Sequence, residues 1–263
     1  MRCPRTAGRA AVALVQRRTR RLLPVAALRA RPLSTYEDYT TTSSSYDETR
    51  TAVASNLIED GLRAAWPGRD LADLTLLDGG CGTGNYIEAL RGTVGKIHGI
   101  ELNDGMFAQS SLKFADAEDV TVRQGSIIEM PFPDSHFDGV MVNQVIHHLD
   151  DTHVPGGQRW GAVSAAFAEV FRVLKPGGVF CLNHQHQNQT SDGLWWMALL
   201  PEQVAQASAE RYVPVEWVEK KLSALGFAKA SHTDVFEPFM ISRLDCDING
   251  PFSKAWRDGD SRW

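Results

Sequence analysis

Residues 74–85 constrain the fold of this chain more than any other stretch. An apolar run ends in Asp78, the following loop holds four glycines, and residues 86–90 then suit a helix. Glycine tolerates a positive φ and lets a ligand lie against the main chain. The free N–H groups of a helix that starts at such a loop point back toward the loop. The stretch therefore predicts a buried strand, a ligand-binding turn and a helix.

The chain beyond this loop alternates between strand-like and helix-like segments. Strands are predicted at residues 74–78, 96–101, 120–124, 137–143 and 179–183, and helices at 86–90, 106–117 and 163–174. The Lys-Pro-Gly-Gly run at 175–178 is expected to end the last of these helices. A further helix is predicted at 215–225, and the last two strands within 228–240. This alternation favours an α/β fold with a mostly parallel, doubly wound sheet and helices on both faces.

Length and composition suit one domain with additions at the N-terminus. The chain has 263 residues, and its stretch 34–45 is rich in Ser and Thr, which predicts a linker before a domain over 46–263. No apolar run approaches the roughly 20 residues of a membrane-spanning helix, so no membrane span is expected. Cys81, Cys181 and Cys246 are widely spaced and form no Cys-x-x-Cys pair, which predicts neither a metal site nor a disulfide framework.

The N-terminus has an unusual charge pattern. Residues 1–36 contain nine of the 27 basic residues, all arginines, and no acidic residue. Arginines among Ala, Val and Leu without acids are typical of an organellar targeting helix, so residues 1–33 are predicted to be a presequence. Arg31-Pro32-Leu33-Ser34 resembles a mitochondrial processing site and favours the mitochondrial matrix; a plastid is the alternative. A basic arm that binds nucleic acid or membrane is the other interpretation.

The spacing of the glycines separates two kinds of cofactor loop. Dinucleotide-binding folds use G-x-G-x-x-G, with the third glycine between helix and strand. Here Gly80, Gly82 and Gly84 follow the pattern G-x-G-x-G, and Asn85 stands where the spaced third glycine would be. A glycine loop alone is weak evidence for one cofactor, so the motifs elsewhere in the chain decide.

Together with three further motifs, the loop resembles that of class I S-adenosylmethionine-dependent methyltransferases, and in particular of small-molecule enzymes of the methyltransferase domain 11 type. The motifs are residues 77–84, Gly99-Ile100-Glu101-Leu102, residues 131–138 and residues 173–178, and the resemblance covers about residues 46–178. It implies a Rossmann-like fold with a seven-stranded sheet. It also implies S-adenosylmethionine as methyl donor.

The resemblance assigns one group of residues to the methionine end of the donor. Gly80, Gly82 and Gly84 would admit the ammonium and the carboxylate to the backbone, Asp78 would favour the ammonium, and Asn143 would contact the same end. Tyr46 and Arg50 match an N-terminal segment that closes over it. Arg50 is expected to pair with the carboxylate of the donor, and an ion pair with Asp47 or Glu48 is the alternative.

A second group would hold the adenosine end. Glu101 can accept hydrogen bonds from both ribose hydroxyls, because a carboxylate is an acceptor with two oxygens. Leu102 and Met106 would supply apolar surface for the adenine. The family usually has Asp where this chain has Ser126; the Ser126 hydroxyl and the Ile127 N–H can still bond the ring, without the charge-assisted contribution.

The acceptor is less constrained by the sequence. Residues 183–192 are dense in Asn, Gln and His, which suits a small polar acceptor beyond the strand ends. His184 is a candidate base at neutral pH, as is His148 after the fourth predicted strand, and a structural role is the alternative for both. Two histidines at 184 and 186 have no evident third metal ligand. Arg211 and Tyr212 could clamp a carboxylate.

Three functions remain open. The first is methylation of O, N or S in a small polar metabolite. The second is methylation of RNA or protein, but outside residues 1–36 there are 18 basic and 32 acidic residues, a net charge of −14 that argues against a nucleic-acid partner. The third is a catalytically silent assembly factor, against which the intact glycines and Glu101 speak. The oligomeric state is not predicted.

Overall fold

The computed structural model of this protein describes residues 10–17, 47, 50–149, 159–187, 201–210 and 212–235. Its strands are β1 (Ala10–Arg17), β2 (Thr75–Gly79), β3 (Lys96–Glu101), β4 (Val120–Gln124), β5 (Phe137–Asn143), β6 (Leu174–His184) and β7 (Phe227–Val235). Its helices are α1 (Ser55–Ala65), α2 (Asn85–Leu90), α3 (Asp104–Lys113), α4 (Gly161–Val173), α5 (Glu202–Ala209) and α6 (Val215–Leu225). Two short 3₁₀ helices lie at Leu71–Asp73 and Ile146–His148.

The seven strands form one sheet in the order β4-β3-β2-β5-β6-β1-β7. The strands from β2 to β6 pair in parallel, whereas β1 is antiparallel to both of its neighbours. The predicted α/β, Rossmann-like fold with a mostly parallel, seven-stranded sheet is confirmed. The carboxyl ends of β2, β3 and β5 lie side by side, and ligands of open α/β sheets bind at this edge.

Helices cover both faces of the sheet. On one face α4 and α6 pack through Phe167, Phe171 and Leu222, and on the other α1 and α2 pack through Leu62 and Ile87. All seven residues of β5 are buried, as expected for a central parallel strand covered on both sides. The core therefore holds the edge that carries the glycine loop rigidly.

Strand β6 begins earlier than the sequence predicted. It starts at Leu174, so the run at 175–178 that was expected to precede the strand lies inside it. Gly177 has φ 86°, and the pairing of β5 with β6 shifts register between Phe137 and Gly139. The glycines let residues 175–178 bulge out between the Phe137–Leu174 and Gly139–Val179 pairs, which explains why a turn-like sequence lies within a strand.

The strand between β6 and β7 in the sheet comes from the N-terminal part of the chain. Two strands were expected within 228–240; the structure has β7 there and places β1 between β7 and β6. Arg17 fixes the end of β1: its guanidinium lies 4.4 Å from the centre of the Phe171 ring and donates to Ser135 Oγ (3.2 Å) and to the Leu174 carbonyl. The presequence over 1–33 stays a prediction, and a chain processed at Ser34 would lack β1.

Several predicted features lie outside the described residues. They are the linker at 34–45, Tyr46, the end of the 183–192 run and Arg211.

Candidate functional site

The site is built on the loop between β2 and α2. Gly80, Gly82 and Gly84 have φ values of 76°, 56° and 87°, in the left-handed region that favours glycine. The N–H groups of Gly80 and Cys81 donate to the Ile100 carbonyl at 2.8 and 3.1 Å, which ties the loop to the end of β3. The predicted order of strand, glycine loop and helix is present.

The three glycines differ in what surrounds them. A Cβ at Gly80 would lie 2.6 Å from a Val145 methyl, and one at Gly84 would lie 2.4 Å from the Phe114 ring, so these two glycines permit close packing. A Cβ at Gly82 would meet no atom of the described residues within 4 Å. Among the described residues, Gly82 is therefore the one of the three loop glycines with open space at its Cβ position.

Glu101 closes the loop from β3. Its Oε2 accepts from the Gly82 N–H at 2.9 Å, and its Oε1 accepts from the Asn103 N–H at 2.8 Å. Burial raises the pKa of Glu101, and these backbone hydrogen bonds partly offset the effect. Because each carboxylate oxygen can accept more than one hydrogen bond, Glu101 can still accept from a ligand hydroxyl beside these backbone contacts.

Asp78 and Asn143 bring two buried polar side chains together at the ends of β2 and β5. They are 1% and 8% exposed, and their four side-chain polar atoms have no hydrogen-bond partner among the described residues. Burial raises the pKa of Asp78 to about 8; the nearby Asn143 amide lowers it and the Glu101 charge raises it. Buried polar groups are normally satisfied, so this pair fits a polar, cationic ligand group.

Residues expected at the adenosine end lie around α3. Leu102 is 42% exposed, whereas Met106 is buried at the start of the helix. The Asn103 side chain accepts from the Met106 N–H at 3.1 Å and thereby caps α3. In the neighbouring loop Ile127 is buried, and Ser126 Oγ accepts from the Ile128 N–H at 3.3 Å. That contact leaves the Ser126 hydroxyl hydrogen available as a donor.

An N-terminal strap, residues 50–54, borders the loop. The Arg50 carbonyl accepts from Asn85 Nδ2 at 3.4 Å, and Arg50 itself is buried. Just before the strap, the Asp47 carboxylate accepts from the Thr83 hydroxyl and pairs with Lys113. The structure thus places Arg50 beside the glycine loop and gives Asp47 a lysine partner.

The two candidate bases lie in different places. His148 is the last residue of the short helix Ile146–His148. This helix directly follows Val145, which packs on Gly80. The ring centre of His148 is 4.0 Å from that of His147. His147 in turn contacts the ring of Tyr212 at 5.2 Å. His148 therefore lies three residues after Val145, which packs on Gly80, and belongs to a ring cluster with His147 and Tyr212.

His184 is not brought to the loop. Neighbouring strand residues point to opposite faces, and Asn183 is the one that reaches Tyr86 at the start of α2. His184 instead lines a cavity with Val218 and Leu222 of α6. Its Nδ1 is 2.8 Å from the Gln185 carbonyl, and burial lowers its pKa to about 4, so the ring is neutral at pH 7.

Sequence reasoning missed three contacts: Asn85 and Asn183 bind the strap, and Thr83 binds Asp47 just before it. Their only sequence signal is position: two lie in the glycine loop or follow it, and Asn183 ends a strand. Within the described part of the chain, no group of three His, Cys, Asp or Glu side chains is placed to hold a metal ion. None of the helices described is long and apolar enough to span a membrane.

Residues 77–182 match the family described as "Methyltransferase domain". Among curated proteins, the demethylmenaquinone methyltransferase of Staphylococcus aureus strain MRSA252 is 32% identical over 138 residues, which are 49% of this chain and 53% of that protein. The chain thus spans about half the length of the curated relatives it matches. The similarity to a methyltransferase domain therefore covers residues 77–182, which are less than half of the chain.

Two solved structures share the fold. A protein from an antibiotic biosynthesis pathway of Anabaena variabilis is 18% identical, with a TM-score of 0.51 over 67% of this chain and 62% of that one. A chain of a Haloferax volcanii complex that contains the Trm112 methyltransferase activator is 17% identical, with a TM-score of 0.50 over 74% and 76%. At these identities the likeness concerns the fold.

Proposed function

We propose that this protein transfers the methyl group of S-adenosylmethionine to O, N or S of a small polar molecule. The observation that carries the proposal is the buried pair of Asp78 and Asn143, whose side-chain polar atoms have no hydrogen-bond partner among the described residues. An ammonium group with neighbouring polar atoms, as at the methionine end of the donor, would satisfy both side chains.

The residues divide the work of holding the donor. S-adenosylmethionine, when bound, supplies a methyl group that is already electrophilic because it is on a sulfonium. The glycine loop leaves room for the methionine end, Asp78 and Asn143 bind its ammonium, and Glu101 binds the ribose hydroxyls. Leu102 and Met106 cover the adenine, which Ser126 and Ile127 bond at its edge. Catalysis then consists mainly of positioning the reactants and excluding water.

Two features support a small acceptor. The chain outside residues 1–36 carries a net charge of −14, which disfavours a nucleic-acid partner. The curated relative is a demethylmenaquinone methyltransferase, so a reduced quinone, which carries nucleophilic hydroxyl oxygens, is included among the small acceptors to test. RNA or protein is the alternative acceptor class. His148 is the candidate base near the loop for an acceptor that must lose a proton.

Calorimetry with S-adenosylmethionine tests the donor site. Glu101→Ala is expected to weaken binding about tenfold or more, because two charge-assisted hydrogen bonds are lost. Glu118→Ala, at an exposed acid, is the matched control and should bind like the parent. Equal binding by Glu101→Ala would refute the assignment.

A screen with labelled donor tests the acceptor. Small metabolites, quinones, RNA and protein are offered in parallel, and label is expected only in the small molecules. Label found only in RNA or protein would replace the proposed acceptor class. Donor binding without transfer to any of the four would favour an assembly factor.

We also propose that residues 1–33 direct the protein to the mitochondrial matrix. The nine arginines without an acid in residues 1–36 support this proposal. A fluorescent protein fused after residue 36 is expected in mitochondria, and the same fusion with these arginines changed to glutamine is expected in the cytosol. A plastid signal would support the alternative, and a cytosolic signal for the first fusion would exclude both organelles.

A further inference from the structure

We propose that Asn183 is a positioning residue that couples the strap and the glycine loop to the donor site. The inference rests on the proposed binding of S-adenosylmethionine at Asp78, Asn143 and Glu101. Asn183 is the penultimate residue of β6 and is almost completely buried. In the described structure its side chain forms no hydrogen bond with those three side chains, and its effect on the donor is indirect.

The Asn183 amide joins three other elements. Its Nδ2 donates to the Val53 carbonyl of the strap at 3.1 Å and to the Tyr86 hydroxyl of α2 at 3.0 Å. Its Oδ1 accepts from Gln144 Nε2 at 3.1 Å. The Tyr86 hydroxyl also donates to the Val53 carbonyl at 3.1 Å, which closes the network. One side chain thus uses both donor hydrogens and its acceptor.

The contact with Gln144 bears most directly on the donor site. Gln144 has φ 56°, a left-handed conformation that residues other than glycine adopt at a conformational cost. Asn183 holds it there twice, through its side chain and through its carbonyl, which accepts from the Gln144 N–H at 2.7 Å. Such strain persists only where the surroundings enforce it.

The neighbours of Gln144 are parts of the site. Asn143, which precedes it, faces Asp78, and Val145, which follows it, packs on Gly80. Releasing Gln144 would let both neighbours shift. The network therefore orients the Asn143 amide, which is proposed to bind the donor, and keeps Val145 packed on the glycine loop. The hydrogen bonds to the Val53 carbonyl hold the strap against α2.

The chemistry leaves little choice of side chain at this position. Aspartate could still accept from Gln144, but it has no hydrogen to donate to the Val53 carbonyl. Leucine would remove the acceptor of the Gln144 amide and leave the Val53 carbonyl with the Tyr86 hydroxyl as its donor. Only an amide of this length satisfies the three partners at once.

Calorimetry on the full chain with S-adenosylmethionine tests the proposal, with the thermal midpoint of the ligand-free protein measured in parallel. Asn183→Ala is expected to weaken donor binding about tenfold or more. Cys181→Ala is the matched control, since Cys181 is buried two residues earlier on the same face of the same strand. It is expected to lower the thermal midpoint and leave the affinity unchanged.

Coupling with Tyr86 separates positioning from simple loss of stability. Tyr86→Phe removes only a hydroxyl, and its effect on affinity is expected to be clearly less than additive with that of Asn183→Ala, because both side chains act through the Val53 carbonyl. If Asn183→Ala does not fold, Asn183→Ser, which keeps one donor, replaces it in the cycle.

The outcomes are distinct. No donor binding by the parent chain would refute the proposed function itself. Binding by the parent together with unchanged affinity of the Asn183 variants, or with additive effects in the cycle, would overturn the positioning role alone.

Discussion

Asp78 shows how strongly burial affects a carboxyl group at the candidate site. Its carboxyl is buried beside the Glu101 charge, without a hydrogen-bond partner among the described residues, and its pKa is raised to about 8. The folded protein therefore holds a proton there at neutral pH that the unfolded chain, with an ordinary pKa of 3.8, does not hold. A bound cation reverses this preference, because it favours the charged form.

This linkage predicts proton release on donor binding. The raised pKa means that the stabilising effect of the neutral carboxyl is fully present below about pH 4 and is lost as pH rises through 8. Binding of the donor ammonium should expel the proton below pH 8, so affinity is expected to rise between pH 6 and 8 by up to about tenfold per unit.

Calorimetry in two buffers of different ionisation enthalpy measures the proton. The parent should release about one proton per donor at pH 7. Asp78→Asn is the control, and it should bind more weakly and release fewer protons. A parent that binds equally at pH 6 and 8 with no buffer dependence would show that Asp78 does not titrate with the donor.

At the scale of elements, the glycine loop allows the roles of its glycines to be separated. Gly92 has φ 77° in a turn outside the loop, and a Cβ there would meet nothing within 4 Å in the described structure. Gly92→Ala therefore measures the backbone cost alone, about 1–2 kcal/mol. Gly84→Ala should cost about 1–3 kcal/mol more, because its Cβ would collide with the Phe114 ring.

Gly82→Ala provides the third comparison. Its Cβ meets no described atom, so its loss of unfolding free energy should equal that of Gly92→Ala. Donor affinity should nevertheless fall for Gly82→Ala and stay at the parent value for Gly92→Ala, because the proposed donor site includes Gly82 and not Gly92. Denaturant unfolding measures the stability of the three glycine variants, and calorimetry measures their donor affinity. Equal affinities for Gly82→Ala and Gly92→Ala would show that the ligand does not bind at Gly82.

Elements that depend on local sequence were predictable, and long-range pairings were not. The strand, glycine loop and helix around Asp78 follow from residues that are neighbours in the chain, as does Glu101 at the end of the next strand. Asn183 lies on the side of the loop, whereas His184 does not. This difference is set by the register of β6 against β5, which the local sequence pattern leaves open. The start of β6 before the bulge at Gly177 could not be predicted either, because it also depends on long-range pairing.

At the scale of the whole molecule, β1 joins the most distant parts of the described chain. Ala11 pairs with His184 and Gln16 with Val179 on one side, and β7 pairs along the other side. No local pattern could reveal this, since the arginines around residues 10–17 indicate targeting more strongly than a strand. Processing at Ser34 and a sheet that contains β1 exclude each other in one mature chain.

The stability of two altered chains decides whether the sheet depends on β1. A chain that starts at Ser34 lacks the strand, whereas Ala13→Pro keeps every arginine and breaks the pairing, because proline donates no hydrogen bond in a central strand. Each is expected to lose at least about 3 kcal/mol of unfolding free energy, which lowers the thermal midpoint by about 6–12 °C.

Scanning calorimetry compares the parent with both altered chains. Mass spectrometry of the protein isolated from mitochondria then shows whether residues 1–33 are still attached. Equal losses in both altered chains, together with a full-length mass, would mean that the strand is retained and needed. A loss for the shortened chain alone would assign stability to other residues before Ser34. Two chains as stable as the parent, with the mass of residues 34–263, would mean that β6 and β7 of the mature enzyme fold without β1, because the leader is removed.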